Sequence, residues 1–333
     1  MTTVDRGRYG CVTSGSGQLV VAMKARELGR GSVVVGDHVA LAGDTSGAAG
    51  SLARIVRVEP RTSALRRSAD DTDPVERIIV ANADQMVIVC ALASPPPRLR
   101  FIDRCLVAAY DAGLSPLLLL TKADLASSRR VRAVYSPLGL RMLTTRRPLP
   151  AQTLGRLRGL LADQVSVLIG QSGVGKSTLV NLLVPDAVRA VGSVNPVTGR
   201  GRHTSSSAVA FALPPASRRS SGAPGWLIDT PGLRGFGLGH VSPERVAEAF
   251  EDLADGVAAC PPGCTHLAIG TPVGPADPAG SAGPTGPTGP TDLGGPAGPA
   301  GCALDGWARD HHAEARLDSL RRLLASREGT TPD

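Results

Sequence analysis

The chain has 333 residues, 42% of them hydrophobic and 20% charged, with a net charge of +7. That length accommodates two or three domains with real cores, and the composition is ordinary for a globular protein. No run approaches the roughly 18–20 apolar residues of a membrane span. The N-terminal MTTVDRGRYG lacks the apolar centre of a signal peptide, so a cytoplasmic chain with no membrane role is expected.

Residues 1–68 carry short alternating runs, GQLVVAMKA, SVVVGDHVAL and SLARIVRVEP, separated by Gly, Ser and Asp. That rhythm predicts a small all-β barrel or sandwich. Ten Lys/Arg stand against five Asp/Glu in this segment, which points either to a polyanion partner or to a solvated basic face. From about residue 78 apolar strands alternate with helical segments. The predicted strands are 85–92, 114–120, 140–144, 164–170 and 226–229, and the predicted helices are 98–112 and 151–162. Such alternation argues for a parallel α/β sheet. Further helices are expected at 244–257 and 308–327, the latter with Leu317, Leu320, Leu323 and Leu324 on one face. Between them, 270–301 is rich in Gly and Pro and reads as a disordered insertion.

The stretch GQSGVGKST (Gly170, Gln171, Ser172, Gly173, Val174, Gly175, Lys176, Ser177, Thr178) follows a predicted strand and opens a helix. That context marks a phosphate-binding loop. Its glycines let backbone N–H groups curl around phosphate oxygens, Lys176 reaches the β- and γ-phosphates, and the Ser177 hydroxyl binds Mg²⁺. DTPG (229–232) ends the strand WLID, with Asp229 suited to the Mg²⁺ shell and the Gly232 N–H to sensing a γ-phosphate. Thr204, in GRGRHTSSS, is the expected switch ligand of Mg²⁺, ahead of Ser205.

TKAD (Thr121, Lys122, Ala123, Asp124) follows another strand and reads as a guanine reader. The Asp124 carboxylate can accept from N1–H and the 2-amino group of guanine together, donors that adenine lacks there. In an ordinary GTPase the phosphate loop precedes this motif, whereas here it follows by some fifty residues. Ligand loops at the carboxyl ends of parallel strands depend on spatial neighbours and not on chain order. A circularly permuted GTPase explains the reversal.

The stretches GDHV, TKADL, GQSGVGKSTLVNLL, GRGRHT, DTPGLRGFGL, CTH and the GC at 301–302 together resemble the small ribosomal subunit biogenesis GTPases of the RsgA/YjeQ type. The resemblance implies a multi-domain chain. Its parts would be an OB-like β-barrel over 1–68, a permuted P-loop GTPase domain over 75–243 and a zinc-binding helical tail over 244–333. It also implies GTP hydrolysis stimulated by the 30S particle late in its maturation, with 16S rRNA, GTP and GDP as partners and a monomeric state. Where the family carries a Ser-Ala turn, this chain has Thr144-Thr145 followed by Arg146-Arg147-Pro148, leaving a backbone N–H to contact guanine O6.

Leu233 follows DTPG where many GTPases place a water-orienting Gln. Basal hydrolysis should then be slow, and His203, beside Thr204, is the candidate to orient water, against a histidine that only packs in its loop. Cys260, Cys264, His266 and Cys302 supply one N and three S donors, which suits structural Zn²⁺, against three unrelated buried thiols. The 35 residues between His266 and Cys302 add about 1.5–2 kcal/mol of loop-closure cost. Zinc sites of this kind bind with roughly 10–16 kcal/mol, so the insertion is tolerable. Cys11, Cys90 and Cys105 read as small hydrophobes. An rRNA-binding timer with negligible turnover fits the sequence as well, and GTP turnover with and without 30S particles separates the two; a P-loop ATPase or kinase is disfavoured by Asp124.

Overall fold

The computed structural model describes residues 1–29, 32–67, 77–184, 208–214, 224–230, 238, 241, 243–261, 264–267 and 302–327. The expectations for His203, Thr204, Gly232 and the 270–301 insertion lie outside those residues.

The N-terminal part consists of β1 (Thr3–Asp5), β2 (Arg8–Val12), β3 (Leu19–Lys24), β4 (Val39–Gly43), β5 (Ala53–Val58) and the hairpin β6 (Ala64–Arg67) and β7 (Arg77–Ala81). Alternation along β3 and β5 sends Val20, Ala22, Ala53 and Ile55 inward against Tyr9 and Cys11. The strand order β1-β2-β3-β5-β4 contains one parallel step, β3 with β5, among antiparallel pairs. The GDHV stretch supplies a buried pin: Asp37 is fully buried, and both its oxygens take bonds from Arg61, at 2.7 and 2.9 Å. The Val34 N–H adds a third bond, so this buried carboxylate is fully compensated.

The central part runs β8 (Gln85–Ala91), α1 (Leu99–Asp111), β9 (Ser115–Thr121), α2 (Arg129–Tyr135), β10 (Arg141–Thr144), α3 (Ala151–Leu161), β11 (Val165–Ile169), α4 (Lys176–Leu183), β12 (Val209–Ala212) and β13 (Trp226–Asp229). Strands β10-β9-β8-β11-β13 are neighbours and mutually parallel. β8 is buried along its whole length because both faces are covered. Met86, Ile88 and Cys90 meet α1 on one side, while Val87, Val89 and Ala91 meet α3 and α4 on the other. This doubly covered parallel sheet is the predicted α/β core.

β12 runs antiparallel to β13 and also pairs with β1, so one eleven-stranded sheet continues from the α/β core into the N-terminal strands. The Ala210 N–H donates to the Thr2 carbonyl at 2.8 Å across this junction. Nothing in the sequence pattern signalled that join.

In the tail, the helix expected over 308–327 is two helices, Leu304–Asp310 and Glu314–Arg327. His312 takes a left-handed φ of 54° between them, and Trp307 stacks on His311 with ring centroids 4.2 Å apart. The segment expected at 244–257 is likewise two short helices, Pro243–Glu248 and Ala254–Ala258, flanking the buried Phe250. Leu317, Leu320, Leu323 and Leu324 do share one buried face, each contributing about 1.5–3 kcal/mol of burial, and they enter the same core as α1. Polar contacts reinforce that packing. Arg104 of α1 donates to the Ser326 carbonyl at 2.8 Å, and Arg322 meets Asp103 at 3.2 Å while lying over the Tyr135 ring.

Candidate functional site

The loops after β9, β11 and β13 emerge at the same edge of the parallel sheet, the carboxyl ends of its strands. That edge is where such sheets bind ligands. TKAD follows β9, residues 170–175 follow β11, and Asp229 ends β13.

The two long-separated motifs touch directly. The buried Thr121 hydroxyl donates to the Val174 carbonyl at 2.7 Å, across 53 residues of sequence. Glycine is required at two points of the phosphate loop. A Cβ on Gly170 would sit 2.6 Å from the Val89 carbonyl oxygen, and Gly175 turns into α4 with φ 105°. Val174 and Lys176 are buried while Ser172, Gly173 and Ser177 are exposed at the open rim.

Lys176 folds back on its own loop, donating to the Gly170 carbonyl and, at 3.0 Å, to the Gln171 carbonyl. Burial lowers its pKa, with Asp229 opposing that effect. Burial raises the pKa of Asp229, and its Oδ1 is a buried acceptor without a partner. An orphaned carboxylate oxygen beside a phosphate loop fits a bound divalent cation. Next to it the Thr230 hydroxyl donates to the Leu168 carbonyl at 2.7 Å, pinning the strand end.

The loop after β9 is equally preset. Lys122 adopts a left-handed φ of 60° and donates to the Ser94 carbonyl. The Ala123 N–H bonds the Thr145 carbonyl at 3.0 Å, and the Thr145 N–H bonds the Leu120 carbonyl at 2.7 Å. Asp124 is exposed, not buried, and its Oδ1 accepts the Arg147 N–H at 3.0 Å. That bond, first among the causes, lowers the Asp124 pKa, so the carboxylate is charged and aimed before any base arrives. Arg147 also sends Nη2 to the Thr178 hydroxyl at 2.8 Å. Sequence reasoning treated this turn only as a departure from a pattern and missed that it ties both motifs together.

In the tail, Cys260, Cys264, His266 and Cys302 bring one donor atom each to within 4.8 Å of one another. Two thiols, Cys260 and Cys302, are 3.8 Å apart, and the His266 N–H points to the Cys264 sulfur at 3.4 Å. Burial, with the neighbouring thiols adding to it, pushes the Cys302 thiol up to about 11. His266 is 6% exposed, burial lowers its pKa, and its Nδ1 has no partner. Three sulfurs and a neutral, unsatisfied imidazole in one pocket fit a metal ion. Arg321 braces the cluster from outside, donating to the His266 carbonyl at 3.2 Å and to both Asp305 oxygens at 2.7 and 2.9 Å.

Comparison with known proteins agrees with this architecture. The RsgA GTPase family model matches residues 58–239. A small ribosomal subunit biogenesis GTPase RsgA of Pseudomonas aeruginosa is 38% identical over 251 residues, covering 71% of this chain and 69% of that protein. A Vibrio vulnificus relative, small ribosomal subunit biogenesis GTPase RsgA 1, is 37% identical over 235 residues, covering 69% of this chain and 63% of the relative. Among solved structures, YloQ, described as a circularly permuted GTPase, superposes with a TM-score of 0.60 at 18% identity, covering 100% of this chain and 95% of its own. YjeQ from Thermotoga maritima superposes at 0.59 with 20% identity, covering 98% and 97%.

Proposed function

The chain belongs to the RsgA GTPase family, and from that premise we propose that this GTP hydrolase acts in maturation of the small ribosomal subunit, bound to 16S rRNA in the 30S particle. The single observation that carries the nucleotide reading is the Thr121–Val174 hydrogen bond, which locks a guanine-reading loop to a phosphate loop. In this reading Thr121, Lys122, Ala123 and Asp124 hold the guanine. Residues 170–178 hold the phosphates, with the Gly232 N–H at the γ-phosphate. Ser177, Thr204 and Asp229 hold Mg²⁺, which would neutralise phosphate charge. Lys176 must leave its two carbonyl partners to reach the phosphates, and His203 orients the attacking water. Cys260, Cys264, His266 and Cys302 hold one structural Zn²⁺, the metal that three thiolates and one imidazole favour. The protein works as a cytoplasmic monomer made of a 1–68 barrel, a 75–243 GTPase domain and a 244–333 zinc tail; none of its described helices is long and apolar enough to cross a membrane.

The N-terminal strands supply the rRNA contact through Lys and Arg meeting phosphates, since Tyr9, the only aromatic side chain of 1–68, is buried. Deleting 1–68 is a poor test, because β1 completes the sheet at β12 and Leu65 enters the α/β core. Reversing the exposed Arg26 and Arg54 to Glu is cleaner, and should weaken 30S association and flatten its salt dependence while sparing GDP affinity. The decisive experiment is GTP turnover against titrated 30S and 50S subunits. Stimulation by 30S alone is expected; equal stimulation by both, or by neither, sinks the proposal.

A further inference from the structure

The turn Thr144-Thr145-Arg146-Arg147 carries a cation to which the preceding roles give no chemistry. Arg147 is anchored at two points. Its N–H is bonded to the guanine-reading Asp124, and its guanidinium lies 2.8 Å from the Thr178 hydroxyl. The side chain therefore runs from the base end of the site to the first turn of the phosphate-loop helix, and it is exposed along the way. Thr178 lies two residues beyond Lys176, about 3 Å further along the helix axis. If Lys176 takes the β- and γ-phosphates, the phosphate nearest both the base and Thr178 is the α-phosphate. A helix N-terminus and a guanidinium together make an anion site.

We propose that Arg147 is a nucleotide-binding residue whose guanidinium leaves the Thr178 hydroxyl to hold the α-phosphate of GDP and GTP. The backbone N–H of the same residue stays on Asp124 in any substitution except proline, so its two functions separate. Because the contact is to a phosphate that both nucleotides share, it strengthens GDP and GTP binding alike and takes no part in the γ-phosphate step. A guanidinium bond to an anionic phosphate oxygen outweighs the bond to a neutral hydroxyl that it replaces. This inference rests on the nucleotide-site reading given above.

The test is titration of the full chain with fluorescent GDP and GTP, comparing Arg147→Ala and Arg147→Lys, with inosine diphosphate as a probe of base reading. Arg147→Ala should raise Kd about tenfold for GDP and GTP equally and leave the preference for GDP over inosine diphosphate unchanged. Arg147→Lys, which keeps the charge, should recover most of the loss. A loss under twofold overturns the proposal. So does a loss confined to GTP, or a collapse of the base preference, which would mean the side chain acts through Asp124. Failure of the unmodified chain to bind either nucleotide would instead remove the site reading itself, and this inference with it.

Discussion

The loops at the edge of the parallel sheet and the cysteine–histidine cluster of the tail differ in where their polar atoms find partners. At the sheet edge the chain supplies its own: Thr121 to Val174, Lys176 to Gly170 and Gln171, Asp124 to Arg147. Asp229 Oδ1, where a cation is expected, is the exception. In the tail, three sulfurs and an unpartnered His266 Nδ1 face one another, joined only by weak sulfur contacts such as Cys260 to Cys302 at 3.8 Å and the His266 backbone N–H to Cys264 at 3.4 Å. The first site keeps its shape without a ligand, whereas the second gathers a buried, unsatisfied imidazole nitrogen and three sulfurs that would repel one another as thiolates unless a cation joins them. Nucleotide exchange should therefore leave the fold alone, and metal loss should not.

The largest test of that difference is removal of a metal ligand. Cys264→Ser should abolish stoichiometric metal by elemental analysis and shift the fluorescence of Trp307, which sits against Gly256 beside the cluster. Structural zinc contributes on the order of 10 kcal/mol to domains of this kind, so the local effect should be severe. GDP affinity should change by no more than about threefold. A tail that keeps its Trp307 signal and melting temperature without metal would erase the contrast.

Lys176→Ala probes the self-satisfied site from the other side. Hydrolysis should fall by at least about a hundredfold, because the charge on the β- and γ-phosphates is gone. The melting temperature should hold or rise slightly, since a buried ammonium whose pKa is lowered by desolvation is no asset to the free protein. A clear drop in melting temperature would show Lys176 to be a structural cation.

Asp124→Asn should reduce the preference for GTP over ATP by about ten- to a hundredfold, as one carboxylate facing two guanine donors becomes a mixed donor and acceptor. The Arg147 N–H still finds the side-chain oxygen of asparagine, so folding should be unchanged. An undiminished preference in a nucleotide competition assay would assign base reading elsewhere.

The smallest effect concerns the brace around the cysteine–histidine cluster. Arg321 holds the Asp305 carboxyl below the usual carboxylate range. Its contribution is therefore full above about pH 4 and fades as pH falls below that, through the depressed value. Asp305 is about half exposed, so the pair contributes only about 0.5–1 kcal/mol. Asp305→Asn should lower tail stability by that amount at pH 7 and by less at pH 3, read by denaturant melts followed through Trp307. Equal losses at both pH values would show that charge is not the cause.

The parallel strands were legible because each is a short apolar run with a turn at its end. Predicted 85–92, 114–120, 140–144, 164–170 and 226–229 differ from β8, β9, β10, β11 and β13 by one residue at most at each end. β12 went unread because VAFA is only four residues long with two alanines, although Ser205–Ser207 and Pro214-Pro215 bracket it, and α2 went unread as well. The tail helix was read as continuous because nothing between Asp310 and Glu314 is a strong breaker; the Trp307–His311 stack and the left-handed His312 end it instead. That Asp124 lies at the surface with the Arg147 N–H as its backbone partner was not legible, because that partner comes from a turn 23 residues away.

The order of the motifs, the glycines of the phosphate loop and the four cysteine and histidine donors were set by sequence alone. Each depends on residue type at short spacing: a backbone turn only glycine permits, a donor set only cysteine and histidine supply. The Thr121–Val174 lock, the reach of Arg147 from Asp124 to Thr178, and the passage of one sheet from β12 into β1 were decided by tertiary structure. Those contacts join residues up to about two hundred positions apart, and a hydroxyl, guanidinium or edge strand accepts many partners. Which partner it meets is fixed only when burial of the apolar faces has placed the loops side by side.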